Sequence, residues 1–179
     1  DVYRNVEQVN EIANEGFDTV YSSNQTVILP VNVESLVVSG LAMLGSGGYY
    51  FKGNSDSNVI LVDSRYSYSC LIDGSFGAEV MSYKGSGNIT FKVDDVGDQI
   101  LFLGTQDSTA PASGQVISVE SSLGGEQNLA SFVNNYSTTS NLSLSIVGND
   151  RNNRLSATQA AAGSSLAGGK GDDVYILST

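Results

Sequence analysis

The stretch Gly168-Gly169-Lys170-Gly171-Asp172-Asp173-Val174-Tyr175-Ile176 constrains the fold of this chain more than any other part of it. It fits Gly-Gly-x-Gly-x-Asp-x-U-x, where U is a large apolar residue, the calcium-binding nonapeptide of the parallel β-roll. The glycines let the backbone turn tightly and expose its carbonyl oxygens. The Asp carboxylate adds a hard, anionic oxygen that suits Ca²⁺. Tyr175, at the U position, is expected to point into a stacked core as the chain enters a short strand.

Two other stretches keep the same phase with Asn in place of Asp. They are Gly53-Asn54-Ser55-Asp56-Ser57-Asn58-Val59-Ile60-Leu61 and Gly148-Asn149-Asp150-Arg151-Asn152-Asn153-Arg154-Leu155-Ser156. An Asn side chain can ladder along a solenoid turn without any metal. Gly148 and Gly168 lie a little over one two-nonapeptide coil apart, and Ala157-Thr158 can absorb the excess. Their turns are then neighbours on one edge of the roll. This arrangement predicts a metal site anchored by Asp173, with Gly169 and Gly171 supplying carbonyl oxygens and Asn149, Asn152 and Asn153 alongside.

Elsewhere, apolar residues come in short β-prone runs bounded by Gly, Asn, Asp and Ser. Examples are Val27–Leu29, Ser35–Val38, Asn58–Val62, Asn88–Val93, Gln99–Leu103, Gln115–Val119 and Asn141–Val147. The two best helical candidates are Asn5–Asn14 and Gln127–Asn134. Runs such as Val27–Leu29 and Ile100–Leu103 are continuous rather than alternating, which favours stacked parallel coils over a β-sandwich adhesin repeat. The expected architecture is all-β, a parallel β-roll or right-handed β-helix, with the sandwich as the alternative.

Charge and missing residue types narrow the function. With 8 Lys+Arg against 19 Asp+Glu the net charge is -11. Such a surface argues against nucleic acid and anionic membranes as partners and permits divalent cations. The chain has no His, which excludes Ser-His-Asp and Cys-His catalysis within it. Its one thiol, Cys70, allows neither an internal disulfide nor a zinc cluster and reads as a packed small residue. No window reaches the roughly 18 apolar residues of a membrane span. The chain opens on Asp1, and Asp1-Val2-Tyr3 echoes Asp173-Val174-Tyr175, as expected of a module cut in phase from a larger array.

The ending Gly168–Ile176 resembles the repeats-in-toxin, or haemolysin-type, calcium-binding repeat of bacterial secreted proteins. Glu11-Ile12-Ala13-Asn14-Glu15-Gly16-Phe17-Asp18-Thr19-Val20-Tyr21-Ser22-Ser23 looks like the segment that follows such repeats in large members of that family. Thr26–Gly40 looks like the family's T-L-P-x-N-V-E-x-L-x-L-x-G. The resemblance covers residues 1–61 and 146–177, while 62–145 departs from it and is expected to be degenerate coils or an insertion. It implies type I secretion and folding, or stabilisation, by Ca²⁺ outside the cell. Asp173 would supply the carboxylate, and Gly169, Gly171 and nearby carbonyls the remaining oxygens.

Three functions compete. The first is a non-catalytic, calcium-stabilised module, in contact with adjacent modules of its parent chain. The second is a polysaccharide-modifying enzyme, for which Asp94, Asp95 and Asp98 with Lys84 and Lys92, or Asp63, Arg65, Tyr66 and Tyr68, are the acid–base candidates. The lack of His and the scarcity of Arg and Lys disfavour it, and Asp94–Asp98 reads more simply as an acidic turn. The third is binding of a glycan or cell-surface receptor on a platform of Tyr49, Tyr50, Tyr66 and Tyr68. The expectation is the first: extracellular, non-enzymatic and calcium-associated.

Overall fold

The computed structural model describes residues 9–41, 47–65, 67–106 and 108–178. Within them lie sixteen short strands. In the first half these are β1 Thr19–Ser22, β2 Thr26–Ile28, β3 Ser35–Val38, β4 Tyr49–Lys52, β5 Val59–Asp63, β6 Cys70–Asp73, β7 Val80–Lys84 and β8 Ile89–Val93. They are followed by β9 Gln99–Phe102, β10 Ile117–Ser121, β11 Gly125–Asn128, β12 Asn135–Thr138, β13 Leu144–Val147, β14 Arg154–Ser156, β15 Ser165–Ala167 and β16 Val174–Ile176.

Strands two places apart along the chain pair in parallel, except that β9 does not pair with β11. The even strands form one 8-stranded sheet, and the odd strands form a 5-stranded sheet (β1 to β9) and a 3-stranded sheet (β11 to β15). The chain is therefore a parallel β-solenoid in which each coil contributes one odd and one even strand. Residues 62–145 run through the same ladder as the repeat-like ends.

Alternation along each strand puts one row of side chains inside. In the even sheet the register stacks Val27, Phe51, Ile72, Phe91, Val119, Tyr136, Leu155 and Tyr175 in one file. Phe51, Ile72, Phe91 and Leu155 are completely buried. Tyr175 continues this file in register with Leu155 but is 48% exposed on the last coil, where its hydroxyl accepts from Gly168 N, so it is not packed in the core as its place in the nonapeptide predicts. In the odd sheet, Leu36, Ile60, Met81 and Ile100 form one file and Val38, Val62, Tyr83 and Phe102 another. Removing a fully buried aromatic such as Phe91 from such a file typically costs about 3–5 kcal/mol.

Neither helical candidate is a helix in its described residues. Residues 9–14 are irregular and enter a turn, residues 5–8 lying outside the described ones. Gln127–Asn134 is the end of β11 and the turn after it. Helix-like spacing in a short polar window is overridden by the ladder: Gly125, Glu126, Gln127 and Asn128 each pair with a residue of β13.

The structure also contains an internal duplication. β1 to β7 and β10 to β16 follow the same plan. Leu29 N donates to Lys52 O, and Leu129 N to Val147 O. Gly53 N donates to Asp73 O, and Gly148 N to Ala167 O. Val59 N donates to Glu34 O, Arg154 N to Asn134 O, Val80 N to Asn58 O and Val174 N to Asn153 O. Asp18 N donates to the Glu34 side chain at 2.8 Å, and Ile117 N to that of Asn134 at 3.0 Å. Equivalent strands are nine places apart along the chain, an odd number, so equivalent turns lie on opposite edges of the solenoid. One stack connects even to odd strands (29–34, 53–58, 74–79, 94–98). The other connects odd to even strands (129–134, 148–153, 168–173).

Candidate metal centre

Each stack begins with a rung closed by two asparagines. In the first copy Asn54 Nδ2 donates to Pro30 O (2.6 Å) and Val33 O (2.8 Å), while its Oδ1 accepts from Asp56 N and Asn58 Nδ2. Asn58 Oδ1 accepts from Asn54 N at 2.7 Å, and its Nδ2 also donates to Val33 O. The second copy repeats this bond for bond. Asn149 Nδ2 donates to Ala130 O and Val133 O (both 2.8 Å), its Oδ1 accepts from Arg151 N and Asn153 Nδ2, and Asn153 Oδ1 accepts from Asn149 N. An amide carries two donors and an acceptor oxygen with two lone pairs. Asn54 and Asn149 use all four, so both turns close without a metal. Asn152 Oδ1 accepts from Asp172 N at 2.9 Å. Of the residues expected beside a metal, Asn149 uses all four of its positions in the turn, and Asn152 Oδ1 accepts one bond across the rungs.

The next rung of the second copy is Gly168–Asp173. Asp173 Oδ1 accepts from Asn153 N at 2.9 Å, and Oδ2 lies against Gly168, where a Cβ would overlap it. Gly169 (φ 94°) and Gly171 (φ 100°) take left-handed conformations. They also let the turn settle on the preceding one: a Cβ at either would press on Asn149 O or Arg151 O. Asp173, Gly169 and Gly171 are therefore brought together, beside backbone carbonyl oxygens of the neighbouring rung. Those are oxygen donors of the kind that Ca²⁺ takes.

The equivalent rung of the first copy is Gly74–Glu79, and it is built differently. Glu79 stands where the second copy has Asp173. It is completely buried, and neither carboxylate oxygen accepts a hydrogen bond. The following rung presents Asp94 and Asp98, and one oxygen from each of the three carboxylates lies within 4.8 Å of the others. At an effective dielectric near 20, two unit charges that close repel by at least about 3.5 kcal/mol. Asp98 is held by the backbone, Oδ1 accepting from Glu79 N (2.9 Å) and Oδ2 from Asp94 N (3.0 Å) and Asp95 N (3.1 Å). Burial first, then the Asp98 carboxyl and the charges of Asp94 and Asp95, push Glu79 up to about 9. Burial and the charges of Asp98, Asp73 and Asp95 also raise Asp94, partly offset by Lys52. The sequence pointed to Asp94, Asp95 and Asp98 but missed Glu79. The signal was present: Gly74-Ser75-Phe76-Gly77-Ala78-Glu79 shares Gly-x-x-Gly-x-acid with Gly168-Gly169-Lys170-Gly171-Asp172-Asp173.

The other candidates are structural. Lys92 lies 3.5 Å from Asp73 and 3.9 Å from Glu120, within the register Lys52, Asp73, Lys92, Glu120 that alternates charge along the even sheet. Lys84 pairs with Asp63 at 3.9 Å, and Asp63 also accepts from Gln106 Nε2. Cross-strand pairs of this kind stabilise a sheet. Arg65 is exposed, and Tyr66 lies outside the described residues. Among the described tyrosines, Tyr49 and Tyr50 lie on opposite faces of β4. Tyr49 is 2% exposed and packs edge-on against Tyr68 at 5.7 Å, because it belongs to the inward row of β4. Tyr50 instead donates to Asp73. Cys70 is buried between Tyr49 and Ile89 in the register, and burial pushes its thiol pKa up, away from nucleophilic use. Among the described residues no helix is long and apolar enough to cross a membrane.

No protein-family model, no curated protein and no solved structure matches this chain.

Proposed function

We propose that this chain is a non-catalytic, calcium-binding structural module of a secreted protein, folded or stabilised by Ca²⁺ outside the cell. The observation that carries the reading is the Gly168–Asp173 turn. A carboxylate and two glycines at positive φ meet the carbonyl face of the preceding turn there, and Asp173 Oδ1 accepts from Asn153 N while Oδ2 faces Gly168. In that turn Asp173 would contribute the charged ligand, and Gly169, Gly171 and their neighbours the carbonyl oxygens. Bound calcium would supply the positive charge that an acidic chain of net charge -11 lacks.

The roles of the sequence-predicted acid–base residues support a non-catalytic module. Lys84, Lys92 and Asp63 are committed to cross-strand pairs, and Asp98 to backbone amides. The test is the calcium dependence of stability in Asp173→Asn. Asn fills the equivalent place at Asn58 and Asn153, so the variant is expected to fold. It should lose calcium-dependent stabilisation at this turn while keeping its stability in chelator. Calcium stabilisation unchanged from that of the parent chain would overturn the assignment.

A further inference from the structure

Glu79, Asp94 and Asp98 form a second acidic group, distant in sequence from the C-terminal turn and on the opposite edge of the solenoid. An acidic surface turn needs no ligand, because water and salt screen it. Glu79 differs: it is 0% exposed, and among the described residues no N–H or hydroxyl donor reaches either of its oxygens, the neighbouring polar group being the Asp98 carboxyl. Buried polar groups are satisfied as a rule, and an orphaned carboxylate is the costliest exception. The chain nevertheless makes room for it. A Cβ at Gly74 would lie 2.6 Å from one Glu79 oxygen, and a Cβ at Gly77 2.8 Å from the other.

We propose that Glu79, Asp94 and Asp98 bind a divalent cation, with Ca²⁺ the ion whose chemistry fits. All three ligands are hard oxygens, and among the described residues none of them enters an ion pair with Lys or Arg. Oxygens on opposite sides of Ca²⁺ lie about 4.6–5.2 Å apart, which spans the 4.8 Å envelope of the three carboxylates. Mg²⁺ requires a tighter octahedron. Asp98 is fixed by three backbone amides, Glu79 comes from the buried side, and Asp94 is exposed, so that water completes the shell. The ion would tie together two successive rungs, those preceding β7 and β9.

The test uses the whole chain after chelator treatment, with CaCl₂ as the probe and calorimetry as the readout. Asp173→Asn silences the C-terminal turn and is expected to leave one calcium site. Adding Glu79→Gln, which keeps shape and removes a ligand charge, should weaken that site about tenfold or more. Adding Asp94→Asn instead should weaken it less. Asp94 is exposed and its side chain holds no turn, so this variant keeps the test decisive if Glu79→Gln disturbs folding. Calcium binding in Asp173→Asn that neither addition weakens overturns the proposal, as does the absence of any calcium binding in Asp173→Asn. If Asp173→Asn binds calcium as the parent does, the C-terminal assignment fails, and the Glu79 site stands when either addition weakens that binding.

Discussion

The two turn stacks start alike and then part. Each opens with an Asn–Asn rung seated on the carbonyls of a preceding loop, Pro30 and Val33 in one copy and Ala130 and Val133 in the other. Each continues with an acid, Glu79 in the first and Asp173 in the second. Asp173 reaches back to the amide of Asn153, whereas Glu79, one methylene longer, accepts no hydrogen bond. The difference shows what an amide does for a solenoid turn. It both donates and accepts, so it closes the turn from within. A carboxylate only accepts, and its charge must be met by backbone amides, a proton or a cation. Asp98 shows the first solution, with three amides.

The sharpest way to break this comparison is to exchange the residue types. Asn58→Asp and Asn153→Asp each remove a buried Nδ2 donor and set a charge against Val33 O or Val133 O. Each should cost about 3–5 kcal/mol in denaturant unfolding, since an uncompensated charge is left in a buried site. The two losses should agree closely; unequal losses would undo the equivalence of the copies.

Removing the first amide of each rung tests the same point more gently. Asn54→Ala and Asn149→Ala should each lower stability by about 2–3 kcal/mol, because each strands one carbonyl (Pro30 or Ala130) and one amide (Asp56 or Arg151) and takes one of two donors from Val33 O or Val133 O. Chemical denaturation in chelator measures it, and calcium should not restore the loss.

A third test concerns pH. Glu79 is raised from 4.5 to about 9 in the fold. A raised carboxyl contributes stability that is fully present below its unfolded pKa and is lost as pH rises through the folded one. Metal-free stability should therefore fall between pH 4.5 and about 9, at a slope no steeper than about 1.4 kcal/mol per pH unit from this single proton. Glu79→Gln should flatten that decline and Asp173→Asn should not. Equal pH profiles for the parent and Glu79→Gln would show that Glu79 carries no such strain.

The smallest effect is expected on the sheet face. Lys92→Ala removes contacts at 3.5 and 3.9 Å between partly exposed side chains, and thermal unfolding should register less than about 1 kcal/mol.

Much of this architecture was legible in the sequence. The nonapeptide phase at Gly53, Gly148 and Gly168 placed three turns, and Tyr175 at its apolar position fell in register with Leu155, though on the last coil it stays half exposed. Short apolar runs located β3, β5, β8 and β9. β11 was hidden because Gly125-Glu126-Gln127-Asn128 has neither alternation nor β-branched residues; its partner β13 dictates its conformation. The tyrosines misled because Tyr49 and Tyr50 are adjacent in sequence but face opposite sides of a strand. At the acidic group, the run Asp94–Asp98 was visible, but Glu79 lies one coil earlier. A side chain 19 residues away in sequence enters such a group only through the stacking of the coils.

The most direct test is a calcium titration of the chelator-treated chain, following far-UV circular dichroism and the thermal midpoint. If the Asn rungs close the turns unaided and the acidic rungs bind the ion, the chain is already β-structured in chelator. At about 100-fold excess over the dissociation constant, calcium should then add about 2.7 kcal/mol for each site, a rise of about 5–11 °C in the midpoint per site. A midpoint that does not move with calcium would contradict the account.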